Sequence, residues 1–102
     1  MLHKAFPFLE EAVKKELNLK IKQMWCFYAK KNQKVKTTWH SHPTKISAVL
    51  YLTDSNLCTI FNQCAINLRK NTWLVFNGKE MHTTQEGITN SDRLIISTDL
   101  CK

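Results

Sequence analysis

Glycine and proline are scarce, with two of each in 102 residues, while 43% of the chain is hydrophobic. That balance excludes a low-complexity or wholly disordered chain and leaves room for one modest core. No stretch approaches the roughly 18 apolar residues of a membrane-spanning helix, so no such span is expected. The opening segment MLHKAFPFLEEAVKKEL carries acids inside its apolar run and no small-residue cleavage site. It does not read as a secretory signal, and a cytoplasmic protein is the expectation. Cys26, Cys58, Cys64 and Cys101 form no CxxC pair and no zinc-ligand spacing, so reduced thiols are expected, three of them as small buried hydrophobes in β-like runs.

Arginine is also rare. Of the 15 basic residues 13 are lysine, spread from Lys4 to Lys102, against eight acids, for a formal charge of +7. A charge scattered in this way reads as solvated surface, and nucleic acid is not expected as the main partner.

One amphipathic helix is present over roughly 7–17. Pro7 suits its first turn, and Phe8, Leu9, Ala12, Val13 and Leu17 share a face. Beyond Asn18 the texture becomes short β-branched and aromatic runs: 21–29, 35–40, 46–52, 58–61, 64–68, 73–76, 81–84 and 93–99. The intervening KKNQK, TDSN, RKN, NGKE and QEGITNSD are turn material. So many short strands in a small chain predict a single antiparallel sandwich or barrel that hides its edges, with the helix over one outer face.

Alternation along a strand puts His40 and His42 on one face, and His82 opens a later strand after the NGKE turn. Three imidazoles converging at the rim of such a fold would leave a transition metal with open positions, as a catalytic site requires. His3 is assigned no role. Arg93 opens the last strand and shares a face with Ile95 and Ser97. An arginine turned inward needs an anion, and a guanidinium grips a carboxylate bidentately. The alternative is an exposed arginine pairing with Asp92 or Asp54. Trp25, Trp39 and Trp73 read as core or rim packing, with Trp39 beside the ligands.

The stretches WHSHPTKISAVLYLTD, CTIF, NTWLVFNGKEMHTT and DRLIIST resemble the 2-oxoglutarate/Fe(II)-dependent dioxygenases, the prolyl-hydroxylase-like and phage-type branches in particular, over about residues 25–98. The resemblance implies a double-stranded β-helix, or jelly-roll barrel, with Fe(II) on His40, His42 and His82. It implies 2-oxoglutarate held by Arg93 and Tyr51, with Tyr28 and Ser97 nearby, and O2 as co-reactant. The implied reaction is hydroxylation of a peptide or small-molecule C–H bond whose owner the sequence does not name. Three departures stand out: His42 occupies the place of the usual carboxylate ligand, Ile95 replaces a common serine or threonine, and the chain barely covers the barrel. A His-x-His-Pro form, as in His42-Pro43, is similar to that of some relatives. Two rivals remain. One is a cupin-type metal protein without 2-oxoglutarate, against which stands the absence of glutamate between His42 and Glu80. The other is a non-catalytic barrel, degenerate or nucleic-acid-binding. A monomer or homodimer is expected.

Overall fold

A computed structural model describes the backbone of residues 6–62 and 64–102. His3 lies outside the described residues. The chain is mostly β, with one helix at its N-terminal end.

Helix α1 (Phe6–Leu17) follows the apolar stripe predicted for it. It stops where Asn18 turns left-handed, at φ 56°, and the Asn18 N–H closes on the Lys14 carbonyl at 3.0 Å. Asparagine tolerates that conformation better than most residues. The strands are β1 (Lys20–Ala29), β2 (Lys34–Val35), β3 (Ile46–Tyr51), β4 (Thr59–Phe61), β5 (Cys64–Ile66), β6 (Thr72–Asn77), β7 (His82–Thr84), β8 (Gly87–Ile88) and β9 (Arg93–Cys101). They form a four-stranded sheet in the order β1-β9-β3-β6, a three-stranded sheet β5-β4-β7 and a β2-β8 pair, all antiparallel.

The alternation of β3 and β9 makes two cores from one sheet. On one face Val13 of the helix packs with Ala48 and Leu100, backed by Leu17, Ile21, Ile46 and Trp73. On the other, Val49, Tyr51 and Ile95 gather with Leu68, Leu74 and Phe76. Burial on both faces explains why ISAVLY reads as a nearly continuous apolar run, while β9 carries Arg93, Ser97, Thr98 and Asp99 into the interior along with its apolar residues. The second face meets the three-stranded sheet. Phe76 lies edge-on to Phe61 of β4 at 5.2 Å, and the hydroxyls of Tyr51 and Thr59 are hydrogen-bonded.

Three expectations need correction. The strand expected at 35–40 shrinks to two residues, after which only His40 forms a bridge, to His82. Threonine hydroxyls do the work of a ladder there: Thr84 N–H donates to Thr37 Oγ1 at 3.0 Å, and Thr83 Oγ1 to the Thr37 carbonyl at 3.1 Å. The segment QEGITNSD, expected as a turn, contains β8, because a two-residue strand carries no readable period. None of the four cysteines is buried. Cys26, Cys64 and Cys101 are exposed, since they fall on edge strands or at a chain end.

Candidate metal centre

His40 and His82 are brought together by a reciprocal backbone pair, His40 N–H to His82 O at 3.0 Å and His82 N–H to His40 O at 2.9 Å. His42, two residues on, is fixed by its own N–H on the Gly78 carbonyl at 2.6 Å. Gly78 has to be glycine there. A Cβ would run into the Thr44 carbonyl and lie 2.5 Å from the Ser47 hydroxyl. The NGKE turn therefore nests under the His40–Pro43 segment, and one candidate ligand atom from each ring lies within 4.8 Å of the others.

The hydrogen bonds behind the rings set which nitrogen is free. His40 Nδ1 is 2.8 Å from the Thr38 carbonyl, His82 Nδ1 is 2.9 Å from the Glu80 carbonyl, and His42 Nδ1 is 2.8 Å from Asp99 Oδ1. Carbonyls and carboxylates only accept, so each Nδ1 donates its proton and each Nε2 keeps its lone pair. Burial lowers the pKa of both His42 and His82; for His42 the Asp99 charge opposes this without overcoming it, and for His82 the hydrogen bond to Glu80 does the same. The contact of His42 with Asp99 is thus a neutral N–H donated to a carboxylate rather than an ion pair.

The two neutral rings stack, with His42 Nε2 and His82 Nε2 only 3.1 Å apart. Two lone pairs facing each other at that distance repel unless a cation sits between them. The separation suits nitrogens that share one ion at about 2.0–2.1 Å. The donor set therefore fits a first-row transition metal.

Asp99 was not singled out in the sequence. It is 0% exposed, accepts from Ser47 Oγ at 3.1 Å, and its Oδ2 has no partner. Its signal was there in part: one more step of two along the strand from Arg93, Ile95 and Ser97. Behind the metal-facing nitrogens, Phe76 (4.8 Å) and Phe61 (5.6 Å) wall off His82, and Trp25 lies 5.8 Å from His42.

Arg93 faces inward and is only 4% exposed, and its Nε and Nη2 have no hydrogen-bond partner. Asp92 and Asp54, its alternative partners, are instead bound by the backbone N–H groups of Lys31 and Lys70. Burial lowers the arginine's pKa while the Tyr51 phenol opposes the shift, and burial raises that of Tyr51. A cavity of about 250 Å³ has Arg93, His40, His82, Thr59, Ile95 and Ser97 in its wall. Ser97 is buried between the guanidinium and Asp99 along the inward face. Tyr28 is placed differently from the others. It is 56% exposed and pairs with Leu94, on the strand alternation opposite to Arg93, and is also among the residues that line the cavity. Trp39 is exposed and lies outside the cavity wall.

No family model matches the sequence, and no curated protein matches it. Among solved structures, the crystal structure of a cupin-2 domain containing protein from Shewanella frigidimarina NCIMB 400 superposes with a TM-score of 0.55. The fold is cupin-like. The superposition covers 79% of this chain and 78% of that one at 11% identity, so the likeness is one of fold alone. A cupin-like fold with three clustered histidines needs no glutamate ligand, and the missing glutamate between His42 and Glu80 does not count against a cupin reading as the sequence suggested.

Proposed function

We propose that this protein is an Fe(II)- and 2-oxoglutarate-dependent oxygenase built on a small jelly-roll barrel. The observation that carries this reading is Arg93. A buried guanidinium with unpaired N–H groups, in one cavity wall with His40 and His82, needs an anion to offset its burial. A dicarboxylate long enough to reach from the histidines to Arg93 meets that need at both ends.

The residues then have distinct tasks. His40, His42 and His82 hold the ion through Nε2. Arg93 takes the far carboxylate, and Ser97 and Thr59 are within the same wall, with the Tyr51 phenol buried behind Thr59 and bonded to its hydroxyl. Phe61 and Phe76 keep water from the side of the ion that His82 guards. Fe(II) with 2-oxoglutarate and O2 would supply oxidation of a substrate C–H bond, a peptide or a small molecule being the expected class. Asp99 answers the missing carboxylate ligand. Its carboxylate accepts from His42 Nδ1 at 2.8 Å, on the far side of the ring from Nε2, and would offset part of the ion's charge from behind the ring.

The cupin-like neighbour supports a second reading, a metal protein that never uses 2-oxoglutarate. Anaerobic titration separates the two. With Fe(II) bound, 2-oxoglutarate should add a weak visible charge-transfer band, and Arg93→Ala should remove the 2-oxoglutarate response while metal affinity stays. Metal binding without any 2-oxoglutarate response in the intact protein favours the second reading. Absence of metal binding ends both.

A further inference from the structure

The charge of this chain is not evenly spread once the sequence is laid on the fold. From Leu17 to Thr53 there are seven lysines and no acid, and the remaining residues balance at eight of each sign. The whole formal +7 therefore sits on the stretch that holds β1, β2, β3 and the His40–His42 segment. Strand β1 is the outer strand of its sheet and pairs only with β9 among the described residues. Its middle is uncharged and unusually open for its composition: Trp25 is 38% exposed, Phe27 48%, and Cys26 is exposed between them. Exposed lysines flank this middle, Lys20 and Lys22 before it, Lys30 and Lys31 after it. Gln23, Trp25 and Phe27 form one side of an open cleft of about 310 Å³ whose other side is the His40–Pro43 segment.

A long edge strand with an apolar centre is a ready template for strand addition. Three occupants fit a bare edge, and charge decides among them. A second copy pairing antiparallel would bring Lys20 and Lys22 of one chain against Lys30 and Lys31 of the other. Single-stranded nucleic acid would use the lysines and aromatic rings, but its phosphates only accept, whereas a strand edge alternates donors and acceptors. An extended peptide with apolar residues flanked by acids satisfies the edge, the rings and the lysines together.

We propose that the open edge of β1 docks an extended, acidic-flanked segment of another polypeptide. Every second side chain of that segment enters the cleft beside Trp25 and Phe27. Docking goes beyond the proposed function and does not depend on it.

The test uses the full chain, with and without added Fe(II), and labelled peptide DEVTLTVED, its charge-reversed form KKVTLTVKK, and an N-methylated DEVTLTVED. Anisotropy should show saturable binding of the acidic peptide with or without metal. It should weaken by about tenfold or more from about 20 to 200 mM salt, as surface charge pairs do. The charge-reversed and N-methylated peptides should bind about tenfold or more weakly, and β1 amide resonances should shift. The Lys22→Glu, Lys30→Glu double variant should lose the acidic peptide while keeping its circular dichroism. The proposal is overturned by equal binding of the two charge forms, by no binding, by tighter binding of an oligouridylate of about ten nucleotides, or by a concentration-dependent dimer that blocks the peptide.

Discussion

At the scale of single residues, the inward face of β9 holds two opposite charges that do not meet. Arg93 and Asp99 lie six residues apart on the same face, each buried and each with an orphaned atom. A fold does not keep two such groups for stability, because buried unpaired charge opposes folding. Arg93→Met, which keeps the volume and removes the charge, should raise the stability of the metal-free protein by about 1–3 kcal/mol in urea unfolding. Any 2-oxoglutarate response should vanish in the same variant. Asp99→Leu removes the acceptor that orients His42 at similar volume, and metal affinity should fall about 10- to 100-fold by competition with a chromophoric chelator. The protonation of His42 and His82 gives a pH signature. Unfolded histidine protonates near 6.5, and burial moves both folded rings below that value. As pH falls below 6.5 the unfolded chain therefore binds more protons than the folded one, and stability is lost. Urea midpoints of the metal-free protein should be flat above neutrality and decline from about pH 6.5 downward. His42→Gln, His82→Gln should flatten that decline.

At the scale of elements, the centre depends on two short pieces of chain lying side by side with little regular ladder between them. The 36–39 segment and β7 are tied by threonine hydroxyls, and the NGKE turn is pressed under residues 42–47. Gly78 is the contact through which that press reaches the histidine cluster, since its carbonyl holds the His42 N–H. Gly78→Ala should displace the turn, lower metal affinity by about tenfold or more, and destabilise the fold by about 1–3 kcal/mol through overpacking. A variant with normal metal affinity would mean that His42 is placed by Asp99 alone. The same scale explains which strands could be read in advance. β3, buried on both faces, announces itself as an apolar run, and β9 as a β-branched stretch with LII near its start; β2 and β8, two residues each, do neither.

At the scale of the molecule, four- and three-stranded sheets face each other, with His82 on the smaller one, His40 bridged to it, His42 on the segment that leads into β3 of the larger one, and Arg93 on the larger one. An ion ligated by His42, just before β3, an inner strand of the large sheet, and by His40 and His82 on the smaller sheet's side, would tie these parts together. Metal binding should therefore register as global stability. Fe(II) or Zn(II) at about 100 times its dissociation constant should add about 2.7 kcal/mol, provided the unfolded chain does not bind it. For a domain of this size that is a rise in Tm of about 10–20 °C, reversed by a chelator, by scanning calorimetry under anaerobic conditions.

The sequence by itself determined the helix, most of the strands, the pairing of His40 with His42 on one face, and the presence of an arginine where an inward face begins. Those follow from local rules: a 3.6-residue stripe, a two-residue alternation, and turn residues between them. Tertiary structure alone decided that His82 meets the other two across forty residues, that Arg93 Nε and Nη2 are left without a partner among the described residues, and that Asp99 stands behind His42. It also decided that β1, which the sequence already flanks with lysines, is the outer strand of its sheet. Sheet order and the packing of one layer on another set these distances, and neither is encoded in the spacing of residues along a single strand.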